Sequence, residues 1–162
     1  MTYAAEPAEA GIRETPGDAG TARYIQRYCS CMHAWNASYE AYAKSVGLSL
    51  TTLSMLSAIY ETPNCTQKHL CERCFLPKQT VNAAVTVLYR KGWVALHELP
   101  EDRRNKAIRF TAAGLAEAER ILKKVRSSET AAMSGLSAEE QAQLLALTRR
   151  YVDACAAAMK RP

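Results

Sequence analysis

Hydrophobic positions recur at helical spacing over most of the chain. From about Ala22 to Val46 they fall alternately three and four residues apart, which predicts one long helix ending at Gly47. A second helix is expected from Leu48 to Tyr60, with Leu53, Leu56 and Ile59 or Tyr60 facing inward. Thr66 is a favourable N-cap for a short third helix over residues 67–73, which would bury Leu70 and Cys74.

Two more helices are predicted towards the C-terminus. Thr111 caps the first of them, and Ser137 with Glu140 forms a capping box that begins the second. The first carries apolar residues at helical spacing: Leu115, Ala118, Leu122 and Val125. The last helix runs to about Met159 and lines up Leu144, Leu147, Thr148, Tyr151, Cys155 and Met159 on one side.

The stretch from Leu76 to Phe110 predicts a different unit, a helix followed by a hairpin. Pro77 suits a first helical position, and Gly92 supplies the stop. Between them Val81, Val85 and Leu88 form one apolar stripe that can dock on a core. Beyond Gly92 the pattern is two-stranded: Trp93–Leu99, a turn Pro100–Asp102, and a return strand to Phe110.

A short helix, a tight turn at residues 74–76 and a second helix make a helix-turn-helix, and the hairpin makes it a winged one. The fold class is therefore mainly α with a small β-hairpin.

We expect a flexible leader over residues 1–20, which is rich in Ala, Glu, Gly and Pro, and a single domain over 21–162. Within it, 48–110 would be the winged helix-turn-helix, and 21–47 and 111–162 would be dimerisation helices. Long apolar-striped helices at both ends of a short chain are more easily buried across a two-fold axis than within one subunit.

The polar residues of this region indicate DNA as the partner. The helix after Pro77 would leave four polar side chains outward on its first turns, where amides can bond to adenine and lysine can reach guanine or phosphate: Lys78, Gln79, Thr80 and Asn82. Arg103, Arg104 and Lys106 on the hairpin would reach the backbone or the minor groove. Asp102 would orient a neighbouring arginine. The alternative is a charged hairpin tip that only protects strand edges.

The positive charge of the chain is confined to the same region. The net charge is +5. Residues 64–110 contain nine lysines and arginines against four acidic residues, so this segment alone accounts for +5 and the rest is neutral. Such a patch is the electrostatic signature of a polyanion-binding surface, with a solvated basic face as the alternative.

The six cysteines are expected to be reduced thiols in the cytoplasm, because neither a secretory segment nor a membrane-spanning stretch is recognisable. Cys71 and Cys74, near Cys65 and His69, have a superficial zinc-ligand spacing. They fall within one short helix and its turn without a second clean pair, so neither a metal nor another cofactor is expected. No phosphate-binding loop, nucleophile elbow or paired carboxylates indicate an enzyme.

Several motifs together resemble the multiple-antibiotic-resistance regulator (MarR) family. They are Leu76-Pro77-Lys78-Gln79-Thr80-Val81-Asn82, Leu88-Tyr89-Arg90-Lys91-Gly92-Trp93-Val94, Asp102-Arg103-Arg104-Asn105-Lys106 and Phe110-Thr111-Ala112-Ala113-Gly114. The family's wing pattern, Asp-x-Arg followed by Leu-Thr-x-x-Gly, fits at Asp102, Arg104, Thr111 and Gly114. Two departures are Ala83, where many relatives have arginine, and Phe110, where leucine is usual.

The resemblance implies a homodimeric regulator of transcription that binds double-stranded DNA, with the recognition helix in the major groove and the wing arginine in the minor groove. It also implies release of DNA by a small-molecule effector or by oxidation of a cysteine. Cys29 and Cys31 lie on the helix that carries the reactive thiol in peroxide-sensing relatives, although core packing is the favoured interpretation. His33 and Trp35 are candidate ligand contacts, with interface packing as the alternative.

The sequence thus predicts a ligand- or oxidant-responsive repressor that acts as a homodimer on a palindromic operator, with no membrane partner. The competing interpretation is a winged-helix module that binds protein and has no specific affinity for DNA.

Overall fold

The computed structural model describes residues 19–99 and 102–160. They form two compact units, one comprising α1 and the chain to Leu50 and the other beginning at Thr51. In chain order the elements are α1 (Ala19–Ser45), α2 (Leu50–Glu61), α3 (Gln67–Cys74), α4 (Lys78–Arg90), β1 (Val94–Leu99), β2 (Asp102–Phe110), α5 (Ala112–Ser134) and α6 (Ala138–Met159). The two strands pair as one antiparallel hairpin. The predicted mainly α fold with a small hairpin is confirmed.

The first unit is the long N-terminal helix that the sequence predicts. It is described from Ala19 to Ser45. Residues 1–18, which make up most of the predicted leader, lie outside the described residues, so that prediction stays a prediction. Gly47 adopts a φ of +69°, as a helix-terminating glycine can without steric cost. The backbone N–H of Leu48 donates to the carbonyl of Ala43 at 2.9 Å. Because Leu48 closes that turn, α2 begins at Leu50 and not at the predicted Leu48.

The core of the second unit collects apolar residues from every element between α2 and α5. The inward positions predicted for α2 and α4 are buried, while α5 turns Ala118, Ile121 and Leu122 inward and leaves Leu115 42% exposed. Leu115 is partly exposed because the inward stripe of α5 is centred about 70° around the helix from it. The largest fully buried side chains of the described chain include Met55, Leu56, Cys65, Leu70, Val81, Leu88, Ile108, Ile121 and Leu122.

A backbone contact fixes the place where the hairpin meets α5. Thr111 is the N-cap of α5; its hydroxyl accepts from the Gly114 N–H at 3.0 Å and donates to the Gly92 carbonyl at 2.7 Å. A Cβ placed on Gly114 would lie 1.8 Å from the carbonyl oxygen of Trp93. Only glycine fits there, which gives the glycine of the wing pattern its physical reason.

The C-terminal helix α6 has no buried residue. It begins with the predicted capping box, in which the Ser137 hydroxyl accepts from the Glu140 N–H at 3.2 Å and the Glu140 carboxylate accepts from the Ser137 N–H at 2.8 Å. Its apolar side chains are exposed: Leu144, Leu145, Leu147, Tyr151, Val152 and Met159. No helix in the part of the chain that the structure describes is both long and apolar enough to cross a membrane.

Candidate nucleic-acid interface

The tight turn between α3 and α4 sets the direction of the recognition helix. Phe75 follows α3 in the left-handed conformation, and the N–H of Leu76 donates back to the Cys71 carbonyl at 3.2 Å. Pro77 has an extended ψ of 148° and is the N-cap of α4, one residue before its predicted place inside the helix. The capping carbonyl of Pro77 accepts from the Val81 N–H at 3.1 Å, so the helix still begins with the proline.

Helix α4 has a buried face and an outward face, as the sequence predicts. Val81, Ala84, Val85 and Leu88 are all buried. Lys78, Gln79 and Asn82 are exposed and Thr80 is half-buried. The first turns of α4 therefore present amides and an ammonium group to solvent, while the apolar stripe on the opposite face packs against the core. That arrangement can offer hydrogen-bond donors and acceptors to a groove.

The start of α3 is held by a capping box, which the sequence pattern alone does not reveal. The Thr66 hydroxyl accepts from the His69 N–H at 3.3 Å, and the His69 Nδ1 accepts from the Thr66 N–H at 3.4 Å. The usual signature has Glu or Gln where His69 stands, which is why only the N-cap half was recognisable. Cys74, predicted to be buried by this helix, is half-buried because it lies in the last turn beside the exposed Phe75.

The wing is joined at its base to the residues that precede α3. The N–H of Ile108 in β2 donates to the Cys65 carbonyl at 2.7 Å, and Thr66 pairs with Ala107 as an isolated bridge. The Arg109 guanidinium donates twice to the side-chain oxygen of Asn64, at 2.8 and 3.2 Å. The wing and the start of α3 are thus tied together by backbone and side-chain bonds.

The hairpin carries its basic residues on β2. Lys106 is exposed and stands opposite Glu98 of β1, a cross-strand pair of opposite charge. Asp102 was predicted in the turn but is the first residue of β2, because the strand register shifts beyond Glu98 and pairs Asp102 with Leu99. The side chains of Asp102, Arg103 and Arg104 lie outside the described part of the structure, so their predicted roles remain predictions.

One carboxylate joins three helices behind the interface. Glu61 at the end of α2 accepts from Arg73 of α3, and Arg126 of α5 approaches it at 3.9 Å. The Arg126 guanidinium also lies 4.6 Å from the centroid of the Tyr60 ring, a cation–π contact. All three charged groups are partly exposed, so each pair contributes little alone. Together they link α5 to the helix-turn-helix.

A side-chain hydrogen bond also joins α3 directly to the outward face of α4. Gln67 Nε2 donates to Asn82 Oδ1 at 3.3 Å. Gln67 was not among the predicted interface residues. Its only sequence signal is its place directly after the N-cap, a polar residue at the start of the first helix of the helix-turn-helix.

The cysteines differ in exposure. Cys65 is 1% exposed, and this burial raises the pKa of its thiol to about 11. Burial likewise raises the pKa of Cys74, with a smaller opposing influence from Arg73. Neither thiol has the lowered pKa of a reactive cysteine. Among the described residues no group of three or more potential ligands is close enough to hold a metal ion.

Cys29 and Cys31 are both exposed on α1, so the favoured interpretation as core residues is wrong for the single chain. Ala43 is the only buried residue of α1 among those described, and it lies more than three turns beyond Cys29 and Cys31. His33 is also exposed, and Trp35 packs edge-on against Tyr39 at 5.1 Å between ring centroids while remaining half-exposed. Cys29 and His33, and likewise Cys31 and Trp35, are four positions apart on α1 and are therefore neighbours on its surface.

Comparison with known proteins agrees with the motifs. The sequence model of the MarR family matches residues 46–105, which cover the chain from the end of α1 into the hairpin. Among curated proteins no sequence matches this chain.

Solved structures share the fold at low sequence identity. A MarR protein from Peptoclostridium difficile is similar over 93% of this chain and 95% of its own, with a TM-score of 0.71 and 17% identity. Staphylococcus aureus MepR, in a complex with DNA, is similar over 82% of this chain and 97% of its own, with a TM-score of 0.70 and 19% identity. A mutant MarR from Escherichia coli covers 79% and 96%, with a TM-score of 0.61 and 19% identity.

Proposed function

The sequence model of the MarR family matches residues 46–105, and from that match we propose that the protein is a sequence-specific, DNA-binding regulator of transcription. The observation that carries this proposal is the outward face of α4. Lys78, Gln79 and Asn82 are exposed on a helix whose opposite face is buried, beside a basic hairpin. A regulator of this kind acts where the chromosome is, so the proposal includes a cytoplasmic location.

The geometry favours DNA over a protein partner. A surface for protein would gain most from exposed apolar residues at its centre, whereas the first turns of α4 present amides and a lysine. The bond from Ile108 to Cys65 keeps the wing at a fixed place relative to α3, which suits two neighbouring contacts on one duplex. The basic charge of residues 64–110 supplies attraction to phosphate. The MepR structure bound to DNA is a precedent for this fold.

The proposal extends to a homodimer that acts as a repressor on a palindromic operator. Two recognition helices spaced about 34 Å apart, one turn of DNA, would read an inverted repeat. The exposed apolar side of α6 supports the dimer. A small-molecule effector or an oxidant would release the DNA; Cys29, Cys31, His33 and Trp35 are the residues we propose for that response, and their exposure supports access by a small molecule.

Binding to a pool of random duplexes at several salt concentrations tests this function. Sequences selected from the pool should share an inverted repeat, and the logarithm of affinity should fall steeply with the logarithm of salt concentration, by about 0.9 per phosphate contact. A flat response would support the protein-binding alternative.

Two kinds of substitution should act differently on that binding. Arg104→Ala should weaken binding to all duplexes by about 1–3 kcal/mol if the wing enters the minor groove. Gln79→Ala should instead relax the preferred base at one position of the motif. Lys160→Ala is the control, because Lys160 is an exposed cation at the end of α6, outside the basic segment. If Arg104→Ala binds like the control, the wing has no part in binding.

A further inference from the structure

The Gln67–Asn82 hydrogen bond connects two helices at the surface where DNA binding is proposed. Gln67 is the first residue of α3 and is half-buried, while Asn82 is exposed on α4 and fifteen positions further along the chain. The bond runs from Gln67 Nε2 to Asn82 Oδ1, so the acceptor atom of Asn82 is engaged by the protein itself.

Both residues are held in place by their own helices. The capping box of Thr66 and His69 fixes the backbone from which Gln67 starts. The backbone carbonyl of Asn82 accepts from the Thr86 hydroxyl at 2.7 Å, within the same helix, and Val81 beside it is buried. Neither partner is on a loop, so the bond can hold the Asn82 amide in one orientation.

The orientation of an asparagine amide determines which base it prefers. An asparagine that binds adenine bidentately uses Oδ1 to accept from N6 and Nδ2 to donate to N7. With Oδ1 engaged by Gln67, the two N–H donors of Nδ2 are the atoms of Asn82 that no intramolecular bond directs inward. Two donors match the acceptors on the major-groove edge of a purine, N7 of either purine and O6 of guanine.

We propose that Gln67 is a specificity-determining positioning residue, which fixes the Asn82 amide so that it donates to the acceptor atoms of a purine. This inference rests on the proposed DNA-binding function. Gln67 need not touch DNA; it acts through Asn82. The helix-turn-helix thereby uses its first helix to set what its second helix reads.

The test is selection of bound sequences from random duplexes with the full chain and four variants: Gln67→Ala, Gln67→Glu, Asn82→Ala, and the double variant Gln67→Ala/Asn82→Ala. Alanine and glutamate are both favourable in the first turn of a helix, so neither substitution at position 67 should disturb α3. Wild type should select a purine at one motif position, and Gln67→Ala should reduce that preference on the order of tenfold. Gln67→Glu should accept from Asn82 Nδ2 and turn Oδ1 outward, which should move the preference to adenine or cytosine, whose edges carry donors. Lys68→Ala is the matched control for base preference: Lys68 is the next residue of α3 and its ammonium lies 4.0 Å from Glu72. Loss of its charge should lower affinity for all duplexes alike and leave the selected motif unchanged.

The outcomes separate the two proposals. If wild type selects no motif and shows no salt-dependent binding, the proposed function fails. If wild type selects a motif that Gln67→Ala and Gln67→Glu leave unchanged, the function stands and the role of Gln67 is overturned. A loss of preference in Gln67→Ala that adds fully to the loss in Asn82→Ala also overturns it, because a residue acting through Asn82 has nothing further to change once Asn82 is removed. A lower melting temperature with an unchanged motif would show a purely structural role, which likewise overturns the inference.

Discussion

Phe75 occupies a backbone conformation that its side chain does not favour. Its φ is +53°, in the left-handed region, and its side chain is 93% exposed. Asn64 has nearly the same φ, +52°, but asparagine tolerates this region well. The backbone of Phe75 therefore stores strain for which no packing of its ring compensates.

Replacing Phe75 should stabilise the protein when the new residue tolerates a positive φ. Phe75→Asn should have a free energy of unfolding about 0.5–1 kcal/mol higher than Phe75→Ala, which also removes the ring but keeps the unfavourable Cβ geometry. Urea denaturation of the two variants side by side measures the difference. Equal stabilities would mean that the turn relaxes without strain.

Cys65 should make the stability of the protein depend on pH in the alkaline range. Burial raises the pKa of its folded-state thiol to about 11, above the ordinary value of 9.0 expected in the unfolded chain. Well below pH 9 the thiol is protonated in both the folded and the unfolded chain, so its full contribution to the free energy of unfolding is present. Between pH 9 and 11 the unfolded chain loses the proton first, so the free energy of unfolding should fall, by about 2–3 kcal/mol in total.

The measurement compares wild type with Cys65→Ala under reducing conditions at pH 8 and pH 10.5. Tyrosines and lysines also titrate in this range, but they are common to both proteins and cancel in the difference. Wild type should lose more stability than Cys65→Ala between the two pH values. A constant difference would show that the thiol ionises alike in the folded and unfolded states.

Some residue-scale features follow from the sequence and others do not. The caps at Thr66, Thr111 and Ser137 were predictable because a cap depends on residues within three positions of it. The left-handed Phe75 was not, since this conformation is usual for glycine or asparagine and the turn overrides that preference.

At the scale of elements, the joint between the hairpin and α5 depends on one position. Gly114 lies against the backbone of Trp93, so the atoms that meet in this contact are main-chain atoms on both sides. Neighbouring side chains cannot make room, because the clashing atom is a carbonyl oxygen and not the flexible end of a side chain.

Gly114→Ala should therefore destabilise the protein by about 3 kcal/mol or more, at or above the upper end for overpacking a core position. Gly135→Ala is the control: a Cβ there would meet its nearest atom at 3.3 Å, and its φ is not positive. Thermal denaturation of both variants gives the comparison. A melting temperature of Gly114→Ala equal to that of the control would contradict the close contact.

The sequence predicted the elements of the candidate site better than the links between them. The outward residues of α4 follow from periodicity alone, since Val81, Val85 and Leu88 define the buried side. The bonds from Gln67 to Asn82 and from Arg109 to Asn64 join residues 15 and 45 positions apart. No periodic pattern connects such pairs, so only the folded chain reveals them.

At the scale of the whole molecule, α6 is apolar but uncovered. The predicted stripe, which includes Leu144, Leu147 and Tyr151, is largely exposed, and at its edge Leu145 is 72% exposed and Val152 is 52% exposed. A second copy of the chain would bury these side chains in the proposed homodimer. The sequence predicted such stripes because helical spacing is a local property. Which of their residues a partner covers depends on the geometry between two chains, which no local pattern encodes.

Leu145→Glu should weaken the proposed homodimer by about tenfold or more, because a carboxylate would lose its water without gaining a partner. Sedimentation velocity over a range of concentrations measures the change. Gln143→Glu adds the same charge to an exposed position about 160° around the same helix and should leave association unchanged. A wild-type chain that stays monomeric would remove the dimer from the proposal.

The main-chain bond between Ile108 and Cys65 has a consequence for how such a protein could change its target. Because a backbone hydrogen bond sets the distance between the wing and α3, substitutions at the tip of the hairpin leave that distance unchanged. New binding preferences could thus evolve one side chain at a time, on a frame whose dimensions stay constant.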